Sequence, residues 1–328
     1  MLNAHNVLQS AFQSAFGTAN ATATVKLQNV SSFKLRPEFQ TRALDQLRGT
    51  LAPTHQTTLD HYAGSASFEV SDESFEDVNY WLEALFGTAT PSGADTPYTR
   101  TYNAPTTSGV TPRFMTLQHG QTNEVWQLQD ASVASLTLSG ANNTGVQVGG
   151  SILGGKVVAG ALQSLADRTA VTRMSGCMAS VAIETWTGST FAALANSAFS
   201  WELSINSNRE YRGYLGDCTP TAHHDQKWNG QLKLSLELND TTDDHLIAML
   251  GAASAILEKQ VRITYTTGTS TGLRSMVINF AGHSMQAPEI FQDRNGVMTY
   301  DLVLDGVYNP TLSNWLKIET KSETAVLA

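Results

Sequence analysis

The hydrophobic positions of this chain alternate with polar ones in many short runs. Leu232, Leu234 and Leu236 alternate with polar residues, as do Phe68 and Val70. Successive side chains of a β-strand point to opposite faces, so a period of two predicts half-buried strands. Similar patterns predict further strands at Phe114–Leu117, Val125–Leu128, Ser132–Leu138, Met178–Trp186, Ala198–Ile205, Val261–Tyr265, Arg274–Phe280 and Val297–Leu304.

Two segments repeat their apolar residues at helical spacing instead. The first begins after Ser71 or Asp72, either of which could cap it, and ends at Gly87. The second covers residues 240–251 and also ends at a glycine. Many strands with one amphipathic helix per half favour a mainly β fold. We predict two tandem β-sandwich or partly open barrel domains, each with one flanking α-helix.

The elements of the second half follow the same order as those of the first. Gly64 returns as Gly230, whereas Gly145 and Gly155 return after a shorter spacing of 151 residues. Such a repeated order indicates two copies of one module, with deletions in the loops of the second. We predict an N-terminal arm (1–24), a first domain (25–155), a linker (156–180), a second domain (181–316) and a C-terminal tail (317–328).

Polar segments rich in turn-forming residues are predicted as loops. Arg36–Tyr62 and Asn206–Lys227 occupy equivalent places before the alternating strands that start at the two glycines. Lys156–Thr172 is poor in aromatic residues and forms the predicted bridge between the copies, with a short helix around Leu162–Asp167.

Composition narrows the function. The formal charge of −9 and the absence of a basic run argue against a surface that binds nucleic acid through phosphate contacts. No run of apolar residues is long enough for a membrane span, and the first 16 residues lack the cations of a signal peptide. We expect a soluble protein made inside the cell, with no membrane partner. Cys177 and Cys218 have neither metal-site nor disulfide-framework spacing, and a disulfide between them stays open.

Sequence motifs of catalysis are absent from the chain. It contains no Gly-x-Ser-x-Gly elbow and no Walker A loop. His223–Asp225 and Asp243–His245 hold metal-ligand residue types. However, adjacent strand residues point to opposite faces, and aspartates at a helix start are expected from the helix dipole. We therefore predict no enzyme activity, no catalytic residue, no cofactor and no metal ion.

Taken together, these features resemble a known family. The order is an alternating strand beginning at Gly64 or Gly230, a helix ending in Leu85–Gly87 or Met249–Gly251, and late strands split by a glycine turn. It resembles the major tail tube proteins of long-tailed, siphovirus-type bacteriophages. The resemblance implies a structural virion protein, made in the host cytoplasm, that assembles into stacked rings for DNA delivery. A duplicated domain implies trimeric rings with pseudo-sixfold symmetry. The implied partners are the chain itself, a tape-measure protein, tail-end proteins, and DNA that passes without specific binding.

Two sets of residues are predicted to carry this function. Strand parity, combined with the resemblance, assigns the following residues to the lumen: Ser65, Ser67, Glu69, Gln231, Lys233, Ser235 and Glu237. Glu237 is expected to neutralise Lys233 partly, and few other cations are expected. The polar loops are predicted to bridge successive rings through Arg48, Gly49, His55, Arg209, Tyr211 and His223. The alternative function is a virion or surface adhesion module that binds a carbohydrate or receptor through long loops.

Overall fold

The structure is a computed structural model that describes most of the chain. The described residues are 6–44, 56–93, 97–121, 123–168, 171–186, 188, 191–194, 197–240, 242, 244, 247, 257–268, 272–284, 292–294, 296–325 and 327. The first half contains β1 (Val7–Phe12), β2 (Val25–Lys26), β3 (Val30–Leu44), β4 (Gln56–Val70), α1 (Val78–Phe86), β5 (Tyr98–Asn103), β6 (Met115–Gln121), β7 (Glu124–Ala141), β8 (Gln147–Gly154) and β9 (Lys156–Ala159).

The described part of the second half supplies eleven further strands. They are β10 (Ala179–Thr185), β11 (Ala192–Ala193), β12 (Ala198–Asn206), β13 (Arg209–Arg212), β14 (Ala222–Asp225), β15 (Asn229–Glu237), β16 (Leu257–Thr267), β17 (Arg274–Ser284), β18 (Gln292–Arg294), β19 (Val297–Gly306) and β20 (Leu316–Ser322). The predicted mainly β fold class is confirmed: the sheets are antiparallel, compatible with β-sandwich domains, and not closed into a barrel.

The strand pairings of the first half recur in the second. β1–β6, β3–β4, β4–β8 and β7–β9 correspond to β10–β16, β12–β15, β15–β19 and β17–β20. Gly64 lies opposite Gly154 in β4–β8, and Gly230 is one step from the Gln231–Asp305 pair of β15–β19. These two rows, Gly64–Gly154 and Gly230–Gly306, give a common reference for both halves. They make Gly154 the equivalent of Gly306, which corrects by one residue the equivalence with Gly155 expected from the sequence.

One long sheet joins the halves. Its strand order is β3-β4-β8-β7-β12-β15-β19-β18, and its junction is the antiparallel pair β7–β12, in which Leu138 lies opposite Leu203. β7 is long enough to belong to two layers: its first part pairs with β6 and β9, and its second part with β8 and β12. The apolar core lies between this long sheet and the outer strands.

The helix α1 is enclosed rather than merely flanking, because all nine of its residues are buried. It is covered from both halves: the Asn79 Oδ1 accepts hydrogen bonds from Tyr102 Oη (3.1 Å) in β5 and Thr320 Oγ1 (2.6 Å) in β20. It ends at Gly87, as predicted, where φ is 87°. Its N-terminus differs from the prediction, since Asp77 is the N-cap residue instead of Ser71 or Asp72.

Several predicted loops are strands. The segments described from sequence as arm, linker and tail contribute β1, β9 and β20 to the sheets. Much of Arg36–Tyr62 lies in β3 and β4, so the loop prediction was wrong there. Leu162–Asp167 forms no helix. Most of the second predicted helix lies outside the described residues.

Candidate functional surface

The long sheet has one continuous polar face that crosses both halves. Directly opposed residues of a sheet share a face. Glu69 lies opposite Gly149, Gly149 opposite Thr137, Thr137 opposite Ser204, and Ser204 opposite Gln231. The register therefore brings all seven residues predicted for the lumen onto the same face, which we call the polar face: Ser65, Ser67, Glu69, Gln231, Lys233, Ser235 and Glu237.

The opposite face of the same strands is the core. Phe68, Leu136, Leu203 and Leu234 are at most 1% exposed, whereas Ser67 and its neighbours on the polar face are open to solvent. Burial of this apolar row fixes the parity of every strand, because a slip by one residue would exchange the faces. The alternation read from the sequence is thus confirmed for β4 and β15.

Charges on the polar face are nearly balanced. Lys233 forms an ion pair with Asp301 on β19 (Nζ–Oδ2 2.8 Å), and Glu202 lies opposite it on β12. The hydrogen bond to Asp301 raises the pKa of Lys233. The expectation that Glu237 neutralises Lys233 was therefore incomplete: the structure gives Lys233 a nearer partner. Among the described residues, the polar face carries six carboxylates, Glu38, Glu69, Glu202, Glu237, Asp301 and Asp305, and four cations, Lys34, Arg36, Lys233 and Arg294.

This balance corrects the expectation of few cations. Arg36 was missed because the segment from Arg36 was read as a loop, in which Pro37 suggested a turn, and Lys34 was missed because no strand was predicted before that segment. The face is made mainly of neutral hydroxyl and amide groups, for example Ser135 and Ser151, whose Oγ atoms are 2.6 Å apart. Such a surface offers a polyanion neither a concentrated positive patch nor strong repulsion.

Two hairpin arms extend beyond the glycine rows. The β3–β4 arm comprises residues 38–44 and 56–63, and the β13–β14 arm comprises residues 207–228. Of the residues predicted to bridge rings, Arg48, Gly49 and His55 lie outside the described residues, between β3 and β4 in the sequence.

The other three predicted bridging residues contact the first half of the chain instead of lying at an exposed tip: Arg209 is buried, and Tyr211 and His223 are half-buried. Arg209 is 4% exposed; its Nε donates to Asp225 Oδ1 (2.7 Å), and its guanidinium also donates to the Val133 and Leu85 carbonyls (2.8 and 3.2 Å). Leu85 belongs to the last turn of α1, whose carbonyls have no partner within the helix. Arg209 of the second half thus caps the helix of the first.

Tyr211 and His223 add to this attachment. The Tyr211 hydroxyl bonds to Ser132 Oγ (2.8 Å) and to the Asp130 carbonyl, and burial raises its pKa. The His223 ring packs against Phe114 at 5.1 Å between ring centroids, and burial lowers its pKa. The β13–β14 arm of the second half is therefore held against the first half by these contacts.

Three further features of the described residues concern metal binding, cysteine chemistry and membrane spanning. These residues contain no group of three or more His, Cys, Asp or Glu residues able to hold a metal ion. Cys177 and Cys218 are both free and exposed. Within the part of the chain that the structure describes, no helix has the length and apolar character needed to cross a membrane.

Comparison with known protein families gives a match over most of the chain. Residues 4–304 match the model of a family described as "Phage tail tube protein", so the match spans both halves. No curated protein sequence shows significant similarity to the chain.

Proposed function

This chain belongs to the phage tail tube protein family and is a structural component of the virion tail; from this premise we propose that it polymerises into stacked rings whose lumen conducts DNA. Each ring contains three chains with pseudo-sixfold symmetry, and the polar face of the long sheet lines the lumen. Assembly involves a tape-measure protein and tail-end proteins. The chain acts without a cofactor and without enzymatic chemistry, and it is made in the host cytoplasm before assembly.

The observation that carries this proposal is the β7–β12 junction. It joins the two halves edge to edge in one sheet, while β3 at one end and β18 at the other each have a single partner among the described residues. β12 occupies in the second half the place that β3 occupies in the first. Repeating the junction between chains would pair β3 of one chain with β18 of the next. This would remove both open edges, which otherwise expose unpaired backbone groups.

The recurring pairing pattern supports three chains per ring. If the halves are copies of one module, a heterologous contact repeated around an axis closes with half as many chains as modules. A hexameric arrangement of modules then requires three chains. The polar faces of the three long sheets would form one continuous inner surface.

The known junction predicts the register of the proposed one. Glu202 lies opposite Ser139 within the chain. Counting from the glycine rows, Lys34 takes the place of Glu202 and Gln292 the place of Ser139. Lys34 of one chain should therefore lie opposite Gln292 of its neighbour.

Cysteine cross-linking combined with mass measurement tests this arrangement. In a Cys177→Ser, Cys218→Ser background, Lys34→Cys with Gln292→Cys should give covalent trimers on oxidation, because the two positions lie at opposite edges of one chain's sheet. Lys34→Cys alone is the control and should remain uncross-linked. Native mass measurement of the rings should give three chains; six chains per ring, or monomers at all concentrations, would reject the proposal.

Stacking of successive rings is assigned to the arm tips. For the β3–β4 arm, the tip means the connection between the two strands in the sequence, which includes Arg48, Gly49 and His55. The described tip of the β13–β14 arm exposes Tyr214 (65%) and Leu215 (108%). A chain lacking residues 49–56 should form trimeric rings that no longer stack, as measured by negative-stain microscopy. Tubes of normal length from this deletion would contradict the assignment.

A further inference from the structure

An apolar ridge on the β3–β4 arm has no cover within the described chain. Phe39 stacks on Tyr62 with ring centroids 5.0 Å apart, and the next pair on the same face places Leu59 opposite Thr41. Phe39 is 61% and Leu59 50% exposed. Phe33 and Leu35, at alternate positions earlier on the strand, pack against the core. The ridge is therefore a continuation of the buried face beyond the point where the core ends.

The base of the arm holds this ridge in place. Tyr62 N donates to the Cys218 carbonyl (2.8 Å) of the β13–β14 arm, and the Val157 N donates to the Tyr62 hydroxyl (3.0 Å). An apolar surface on a fixed support loses little conformational entropy when a partner covers it. Exposed apolar surface of this kind marks interaction sites on soluble proteins.

The second half shows what covers the equivalent positions. Pro37 lies opposite Gly64, and Ile205 lies opposite Gly230, so Phe39 corresponds to Ser207 and Thr41 to Arg209. Ser207 is 0% and Arg209 4% exposed.

Both of these residues are buried by the first half of the same chain. Ser207 N donates to the Ala134 carbonyl (3.0 Å), and Arg209 donates to the Val133 carbonyl (2.8 Å). Both carbonyls belong to β7, the strand that also pairs with the edge of β12. A single neighbouring element thus covers the edge of β12 and the face of its arm.

β3 has both of these surfaces without a partner among the described residues: its outer edge and the face of its arm. In the second half, the single strand β7 covers both the edge of β12 and the face of its arm. One occupant can therefore cover both the edge of β3 and the face of the β3–β4 arm in the first half. That occupant is the second half of another copy. On that copy, the surface that contacts the β3–β4 arm lies near His283. When residues are counted from the glycine rows, His283 is the equivalent of Ser132 of β7.

We propose that the apolar ridge of Phe39, Tyr62 and Leu59 is a clamp that closes the ring by packing on the second half of the neighbouring chain. This inference rests on the proposed ring. It assigns the shaft of the β3–β4 arm to contacts within a ring and only its tip to contacts between rings. The two arms would thereby differ in chemistry: a buried ion pair fixes the arm inside the chain, and a hydrophobic contact fixes the arm between chains.

An apolar clamp suits a contact that forms only on assembly. A hydrophobic surface can be exposed to water before assembly and then associate without desolvating a charge. An ion pair such as Arg209–Asp225, by contrast, must lose its hydration when it is covered. Replacing Phe39 or Leu59 by an aspartate would leave a charge to be buried at the contact. We expect the concentration needed for trimer formation to rise at least about tenfold.

The test compares Phe39→Asp and Leu59→Asp with Trp126→Asp, the same type of change at an apolar residue that is 54% exposed and lies outside both arms. Circular dichroism and thermal unfolding check that each variant folds, and native mass measurement over a concentration series follows trimers. The inference predicts folded monomers for the two ridge variants at concentrations where the wild-type chain and Trp126→Asp form trimers. A photo-reactive residue at position 39 should also cross-link two chains of an isolated ring near His283.

Other outcomes overturn the inference in distinguishable ways. If the ridge variants form trimers at wild-type concentrations that still stack, the ridge is not a contact. If they form trimers that fail to stack, it faces the adjacent ring. If the wild-type chain itself forms no ring, the proposed function fails and this inference fails with it.

Discussion

At the scale of single residues, buried charges tie the two halves together. Arg209 pairs with Asp225 at 2.7 Å with at most 2% of either side chain exposed, and Arg274 of β17 pairs with Glu76 before α1 at 2.8 Å. The residue types were evident in the sequence, and Arg209 was even selected as functional. Its role was misread because a lone arginine in a polar segment looks the same whether it faces solvent or a helix end.

Removing Arg209 should destabilise the fold strongly. Arg209→Ala leaves Asp225 as an unpaired buried charge and the Leu85 carbonyl without its donor, a loss of about 3–5 kcal/mol in the free energy of unfolding. Arg212→Ala, which removes an exposed ion pair three residues away, should change it by less than about 1 kcal/mol. Urea unfolding measures the change in the free energy of unfolding for both variants. Equal changes would contradict the proposed role of Arg209 in holding the β13–β14 arm against the first half.

Glu73 should make stability depend on pH. Burial raises its pKa from 4.5 to about 8. Between these values the folded chain keeps a proton that the unfolded chain has released, so the free energy of unfolding falls as pH rises. The slope from this group is at most about 1.4 kcal/mol per pH unit, and its contribution to stability is complete below pH 4.5.

The comparison of wild type with Glu73→Gln isolates this slope. Because the amide cannot ionise, the free energy of unfolding of the variant, measured in urea, should rise steadily relative to that of the wild type from pH 5 to pH 8. Below pH 4.5 the difference between the two chains should become constant, because Glu73 is then protonated in both the folded and the unfolded wild-type chain. A constant difference between wild type and Glu73→Gln from pH 5 to pH 8 would show that Glu73 ionises normally.

At the scale of elements, alternation located most strands but not their partners. β7 was predicted as two strands, because Gln129–Ala131 interrupts the pattern where β7 passes from the outer layer into the long sheet. β3 was missed because Pro37 made a strand look improbable there. Proline has no backbone N–H to donate and is tolerated at the edge of a sheet, and β3 is an edge strand of the described sheet. β8 was missed because its glycines hide the alternation of Val148 and Ile152.

The two glycines in the middle of β8 should differ in their tolerance of substitution by alanine. A Cβ on Gly150 would lie 2.3 Å from the Ser135 carbonyl oxygen and 3.0 Å from the Phe68 ring, whereas a Cβ on Gly149 would have its nearest neighbour at 3.5 Å. Gly150→Ala should therefore cost about 1–3 kcal/mol of unfolding free energy through overpacking. Gly149→Ala, on the polar face, should be tolerated. Thermal unfolding of the pair checks which face is packed; the reverse order would contradict the assigned parity.

At the scale of the whole molecule, the proposed lumen depends on charge balance over the polar face. The two halves contribute matching strands to this face, and β3, β8 and β19 add charges and hydroxyl groups that sequence parity at β4 and β15 did not include. A nearly neutral hydroxyl surface should let a polyanion slide, because binding needs clustered cations.

Reversing two carboxylates should convert this surface into one that retains DNA. Glu69→Lys with Glu237→Lys replaces two of its six described carboxylates by cations, so tubes should still assemble while DNA passage slows, most strongly at low salt. Glu124→Lys with Glu258→Lys makes the same charge change at exposed positions outside the long sheet. DNA release measured over a salt series should separate the pairs. Equal effects, or no slowing, would place the polar face away from the DNA path.

The sequence by itself determined the properties that depend on neighbours along the chain. Strand parity at Phe68 and Leu234, the end of α1 at Gly87 and the repeated order of elements all follow from local period and local backbone preference. Local alternation holds whatever strand lies alongside, which is why these features were readable.

Only the tertiary structure decided how the halves meet. The β7–β12 junction, the capping of α1 by Arg209 and the contrast between buried Ser207 and exposed Phe39 depend on residues far apart in the chain. An edge strand shows the same alternation whether its edge is paired or open, and an arm shows the same polar composition whether it is folded back or extended. The free energy that separates these cases comes from desolvation and backbone pairing between distant segments, which no local pattern records.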